Sequence, residues 1–462
     1  MLIFFSANLS LDACSIVVGR LLKKETDMIS SSLSHFSAET STSQLKRLAV
    51  TTHADAVQKL FQHIALHQST LITPKGLKDP QAIVSYVQDR FKDSFLEHAK
   101  ELLFKLHVHS TLYRNIQSHK IITSGTPRLA QIDFLPSQEI KFSFDVTSPM
   151  QTELDEWKYL VFKFPQRKFY KDLDKQAEIF IKQETENESN YLKLGQPTAA
   201  VNDWVCFDLW IADQDQKPLL PDLKGNFWLK IGSGEIYLPF QELFIGKSIG
   251  AEFFTDSLCL QEFFSEHMDT KYCFGIKIID ILPQAFFSIS QLQDYFKIKT
   301  KKKTHQKLIE VFSYRNDLSL RRAIVEDLLA MLLRKQYLTV PRSQVLRHQQ
   351  YLLNELQDNA DYPVYKIQKN FQSYIEQLAE KQVKEMLLID QIGYQENLTC
   401  THQDIAMYLN LTSRPRTKEF IYFQHPTLKA NAFEYPISAD ELSQTCLREK
   451  TLNYIINHLE NY

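Results

Sequence analysis

Two pairs of histidines are the residues whose type and spacing come nearest to a metal clip. His63 and His67 stand one helical turn apart, and His107 and His109 flank Val108. Neither pair has a cysteine or a carboxylate-rich partner at ligand spacing, so no metal site is expected. The six cysteines, at 14, 206, 259, 273, 400 and 446, are scattered and contain no Cys-x-x-Cys pair. They give neither a zinc pattern nor a disulfide framework, and reduced thiols in a cytoplasmic compartment are expected. The chain has no Gly-x4-Gly-Lys-Ser/Thr phosphate loop, so neither an ATP-driven cycle nor any cofactor is expected.

What remains is chemistry of binding. The loop Thr73–Pro80 carries Lys75 and Lys78, a cationic tip suited to phosphate or an acidic surface; the plainer reading is a solvated turn. Tyr365–Gln391 carries Phe371, Tyr374, Ile375, Leu378, Val383, Met386 and Leu387, wider than the narrow stripe one neighbouring helix covers. Aromatic and methionine side chains offer large, adaptable area to varied partners, although the packed core of a helical bundle has the same composition.

The elements that must position these residues fall into three regions, as 462 residues suggest. Acidic and basic residues nearly balance, 55 against 53, so no global field marks a nucleic-acid binder, and sequence-specific nucleic-acid recognition is not expected. Hydrophobic content of 44% is ample for buried cores, while no run approaches the ~20 apolar residues of a membrane span, and no membrane partner is expected. Residues 1–27 read as an extension of uncertain order or an upstream start. From Met28 to about residue 150 two strands (Leu33–Glu39, Leu45–Thr52), a helix with Val57, Leu60, Phe61, Ile64 and Leu66 on one face, further helix over Ile83–Val108 and strands over Phe134–Pro149 are predicted. Residues 151–195 read as a linker, extended and then helical over Tyr170–Glu184, with a Glu/Asn-rich loop at Glu184–Asn190.

Residues 196–283 form a β-rich island. Six of the 11 glycines (225, 232, 234, 246, 250, 275) fall within it, among apolar runs at Trp204–Ile211 and Tyr272–Ile279, as expected of strands joined by tight turns. Leu238–Phe244 reads as a short helix with Pro239 in its first turn. Beyond Pro283 only Gly393 remains, and amphipathic helices are predicted at Phe312–Tyr337, Pro341–Asp358, Tyr365–Gln391, Thr401–Leu411 and Ser438–Leu459 across residues 284–462.

The spacing Ile-Gly-Ser-Gly-x4-Pro-Phe-x5-Gly-x3-Gly, through Gly232, Gly234, Phe240, Gly246 and Gly250, resembles the FKBP-type prolyl isomerase domain found inside trigger factors. The loop Thr73–Pro80 with the following Ile83-Val84 resembles the ribosome-docking region of that family, with Pro74, Lys75 and Gly76 at its Phe-Arg-Lys positions. Val340-Pro341 and Thr401-His402-Gln403-Asp404-Ile405 resemble helix starts of its carboxy-terminal arms. The resemblance implies an α+β multidomain chain: an α/β ribosome-binding domain at 28–150, a small antiparallel FKBP-like domain at 196–283 and an all-α arm domain at 284–462. It implies an ATP-independent chaperone of nascent or unfolded polypeptides, docked near the ribosomal exit tunnel through Lys75 and Lys78, with clients held by Phe371, Tyr374, Leu378 and Met386. It places Phe240, Tyr237, Phe274 and Phe264 (or Phe263) around the isomerase pocket. Leu209 stands at the expected first-strand aromatic position, so isomerase activity is expected to be weak or vestigial. A dedicated isomerase or an assembly chaperone without ribosome docking is the alternative.

Overall fold

Apolar residues at every second position of three neighbouring strands organise the amino-terminal region. The computed structural model describes residues 29–461 apart from 31–32, 41–44, 69–78, 124, 148–153, 155–156, 166–170, 194–197, 214, 233–237, 265–267, 269, 316–317, 337, 358–359 and 426–435. Strands β1 (Ile29–Ser30), β2 (Ser34–Thr40), β3 (Leu45–Thr52), β4 (Arg128–Phe134) and β5 (Ile140–Thr147) form an antiparallel sheet in the order β1-β2-β3-β5-β4. Phe36 pairs with Val50 and Val50 with Phe142, so one face presents a continuous apolar surface that is wholly buried. Helices α1 (Ala54–Leu66), α2 (Pro80–Phe91), α3 (Asp93–Leu103) and α4 (His109–Ser118) accompany this sheet. Asp79 caps α2 by accepting from Ala82 N, with Pro80 at the first helical position. The predicted run Ile83–Val108 is broken at Lys92, whose φ of 47° ends α2, and a π-helical turn at Phe104–Val108 leads into α4. Leu66, predicted on the apolar face, is instead exposed at the end of α1.

Among the described residues of the predicted linker, two features differ from expectation. Leu154 and Trp157 are buried among carboxy-terminal helices, and α5 (Lys171–Lys193) runs straight through Glu184–Asn190, expected as a loop. Glu184 and Glu188, one turn apart, accept from Phe287 N and Ser288 Oγ, and these tertiary bonds give a polar segment a reason to stay helical.

Strands β6 (Trp204–Ile211), β7 (Lys224–Lys230), β8 (Glu252–Thr255) and β9 (Phe274–Leu282) form the second antiparallel sheet, with α6 (Leu238–Phe244) and α7 (Leu258–Phe264) among their connections. Gly246 and Gly250, at φ 78° and 83°, turn the chain from α6 into β8, as the glycine spacing predicted. Val205, Phe207 and Leu209 alternate towards α6 and the amino-terminal core, while Trp204 and Cys206 face the carboxy-terminal helices. Both faces of this sheet are therefore covered.

The carboxy-terminal region contains α8 (Ile289–Tyr295), α9 (Lys301–Phe312), α10 (Leu320–Lys335), α11 (Arg342–Gln357), α12 (Tyr362–Lys366), α13 (Phe371–Gln395), α14 (His402–Thr412) and α15 (Ala439–Asn461). It is not wholly helical. A two-residue hairpin, β10 (Tyr314–Arg315) with β11 (Leu318–Ser319), precedes α10, and β12 (Ile437–Ser438) joins the second sheet, giving the order β12-β7-β6-β9-β8. Thr401 and Asp404 form a reciprocal capping box at the start of α14. Helices α11 and α13 make a hairpin with its own small core of Val345, Leu352, Phe371, Ile375 and Ala379. Among the described residues no helix is long and apolar enough to cross a membrane.

Candidate functional site

Phe207, Phe227 and Phe274 of the second sheet face the amino-terminal region rather than solvent, on the side opposite Trp204 and Trp228. Phe264 and Phe274 are fully buried with ring centroids 5.5 Å apart, and Phe240 on α6 is half-buried against the same core. Tyr237 lies outside the described residues. Lys105 donates to Phe263 O at 2.5 Å and lies 4.7 Å from the centre of the Phe263 ring. Tyr272 stacks on His98 and His63, and Lys271 N donates to His67 O at 3.0 Å. A proline-containing peptide reaches Phe264 and Phe274 only if these two regions part.

The histidine pairs belong to the same seam. His63 and His67 stack at 4.0 Å, and burial, then the neighbouring His67, lowers the His63 pKa to about 3, so that it is neutral at physiological pH. His107 Nε2 lies 2.7 Å from Ser34 Oγ and its Nδ1 3.0 Å from Asp222 O; burial lowers its pKa to about 4. His109 faces Glu441 at 3.8 Å. Among the described residues no His, Cys, Asp and Glu group has the arrangement of a metal site. A polar cavity of about 770 Å3 opens beside His107 between α4 and β7, where Arg114 meets Asp440 at 3.4 Å and Lys224 meets Asp208 at 2.5 Å. Each of these cations is thus held by a carboxylate.

A second cavity, of about 320 Å3, separates the amino-terminal region from the helical arms. Thr123, Gly125 and Pro127 form one wall, Arg347, His348 and Tyr351 of α11 with Gln382 and Met386 of α13 another, and Tyr422, Phe423 and Arg448 the floor. Polar groups around it are held in place: Arg448 grips Asp390 through Nε and Nη2 at 2.9 and 2.8 Å, and Tyr422 donates to Glu385 at 3.0 Å. Burial raises the carboxyls of Asp390 and Glu385, and the Arg448 contact opposes it at Asp390. Below the floor, Glu449 accepts from Tyr422 N and Phe423 N, and burial raises its pKa to about 7. This is a cradle with fixed polar walls and an adaptable lining of methionine and aromatic side chains.

Only Met386 of the four predicted client-binding residues lines the cradle. Phe371 is buried against α11 and Leu378 is half-buried beside the same small core. Tyr374 is 63% exposed, and with it the hairpin tip exposes Val364, Tyr365 and Ile367, the last at 83%. Sequence reasoning missed these tip residues and the cradle's Tyr351 and Tyr422; the run Val364-Tyr365-Lys366-Ile367 just before α13 was the available signal. Lys75 and Lys78 lie outside the described residues.

No family model matches the chain. A trigger factor of Geobacter metallireducens is 19% identical over 393 residues, covering 81% of this chain and 87% of the relative. A solved structure described as "Promiscuous Substrate Recognition in Folding and Assembly Activities of the Trigger Factor Chaperone" aligns with 94% of this chain and 100% of its own, at 14% identity and a TM-score of 0.33. By a sequence match that spans most of both proteins, the chain is similar to trigger factor.

Proposed function

We propose that this chain is an ATP-independent chaperone of newly made polypeptides, associated with ribosomes and carrying a weak or vestigial prolyl isomerase module. The observation that carries this reading is the α11–α13 hairpin, which walls the cradle at one end and exposes Val364, Tyr365, Ile367 and Tyr374 at the other. Apolar side chains grouped on one exposed tip suit loose, sequence-tolerant contact with unfolded chains. Burial of Phe264 and Phe274 supports an isomerase module that is quiet in this arrangement and disfavours a dedicated isomerase.

The test is the aggregation of a chemically denatured client at stoichiometric chaperone without nucleotide: protection is expected, and none would overturn the chaperone reading. Deletion of residues 283–462 does not serve, because it also removes β12 and uncovers Trp228 of the second sheet. Ribosome association is tested by co-sedimentation of wild type and the Lys75→Ala/Lys78→Ala double variant at two salt concentrations. The variant should bind less, with a shallower salt dependence. Wild type that never sediments with ribosomes would favour an assembly chaperone without docking.

A further inference from the structure

We propose that the cradle between the amino-terminal region and the helical arms binds polypeptide segments that are both acidic and apolar: an Asp or Glu side chain pairs with Arg347, and a neighbouring aromatic or aliphatic side chain packs inside. The inference deepens the chaperone reading, on which it rests for the source of the segment.

Charge is the first ground. Three arginines line the cradle, and two are already held, Arg322 by Glu326 at 3.5 Å and Arg448 by Asp390 at 2.8 Å. Arg347, exposed on α11, makes no ion pair among the described residues. Of the charges that act on it, Arg128 repels, and Asp145 is itself engaged by Arg47 at 3.0 Å. The carboxylates in the lining are engaged as well, Glu385 by Lys381 at 3.6 Å and Glu441 by His425 at 3.3 Å. A positive charge without a counterion thus stands at the cradle, and an anionic group on the ligand complements it.

The second ground is a buried polar atom left open. His425 is only 3% exposed, yet its ring lines the same cavity. Its Nε2 faces Glu441 Oε1 and so carries the hydrogen towards that carboxylate, while Nδ1 has no hydrogen-bond partner. The residue is fixed in place, because its backbone N–H donates to the Tyr408 hydroxyl at 2.8 Å and that hydroxyl donates to Phe423 O at 3.0 Å. An open buried acceptor costs free energy until a donor reaches it, and a backbone N–H of a bound segment is such a donor. Around it, Tyr351, Val383, Met386 and Phe423 supply an apolar wall of adaptable shape. A volume of about 320 Å3 admits a short extended segment and not a folded domain.

The experiment titrates the full-length protein into fluorescein-labelled peptides with blocked termini: one containing Phe-Asp-Leu, and analogues with Asn or Lys in place of the Asp. Wild type should bind the Asp peptide about tenfold more tightly than the Asn analogue, with the Lys analogue weakest and the difference shrinking in high salt. Arg347→Gln should bind the Asp and Asn peptides alike. His425→Gln, which keeps a donor for Glu441 and lacks Nδ1, should weaken all three peptides several-fold while preserving the Asp preference. Equal binding of the Asp and Asn peptides by wild type, or an Asp preference that survives Arg347→Gln, would overturn the proposal. Failure to bind any peptide by a protein that still protects a denatured client would overturn this site and leave the chaperone reading standing. An Asp preference lost with Arg347, in a protein that protects no client, would support the site and sink that reading instead.

Discussion

The hydroxyl of Tyr272 lies 2.7 Å from Nε2 of His98, both side chains buried, joining the second sheet to a helix 174 positions earlier in the chain. A buried polar bond of this kind is tolerated because each partner satisfies the other, and it holds the seam in one register. Tyr272→Phe keeps the ring stack and removes the hydroxyl. It should lower unfolding free energy by about 1–3 kcal/mol in urea titrations. An unchanged midpoint would mean that this seam is not part of the cooperative unit.

The same seam bears on prolyl isomerisation. Loosening it with Lys105→Ala, which removes the bond to Phe263 O, should raise turnover of an X-Pro peptide above the wild-type rate. Phe240→Ala in that background should abolish the gain while leaving suppression of aggregation nearly intact. If all three proteins stay at the uncatalysed rate, the isomerase assignment is lost and only the fold resemblance stands.

Glu449 makes stability depend on pH. Burial raises its pKa from the ordinary 4.5 to about 7, so the folded state holds a proton that the unfolded state releases. The stabilisation is complete below pH ~4.5 and is lost as pH rises through ~7, an effect on the order of 3 kcal/mol. Glu449→Gln keeps an acceptor for the two backbone N–H groups and cannot ionise. It should match wild type near pH 4.5 and exceed it at pH 8 in denaturant titrations; a constant difference between the two proteins at both pH values would refute the role of this carboxyl.

Ile367→Ser with Tyr374→Ser should reduce client protection several-fold while changing stability by less than about 0.5 kcal/mol, since both side chains are exposed. Calorimetry and the aggregation assay on the same samples separate the two effects. Full protection by the double variant would move client contact to the cradle alone.

Much of this architecture was legible residue by residue. The apolar run at Trp204–Ile211, the short helix Leu238–Phe244 with its early Pro239, and the glycines at 246 and 250 marked elements because each is a local rule of backbone geometry. What was not legible depends on partners distant in sequence. The polar stretch at Glu184–Asn190 is helical because Glu184 and Glu188 meet Phe287 and Ser288, and nothing nearby announces that. Phe371 and Tyr374 look equivalent as apolar residues on one helix. Their opposite fates, packed and exposed, depend on where α11 lies. The cradle's lining comes from α4, α11, α13 and α15 together, which no single stretch reveals.

Ile437 pairs with Trp228 and Ser438 with Phe227, so a strand from near the end of the chain completes a sheet whose other members end at Leu282. During synthesis the middle of this protein stays unfinished, with one sheet edge open, until residues 437–438 have been made. A chain interrupted anywhere between those points presents that bare edge to its neighbours. A protein proposed to shelter other incomplete chains therefore passes through its own long period of incompleteness, closed only when Ile437 and Ser438 reach β7.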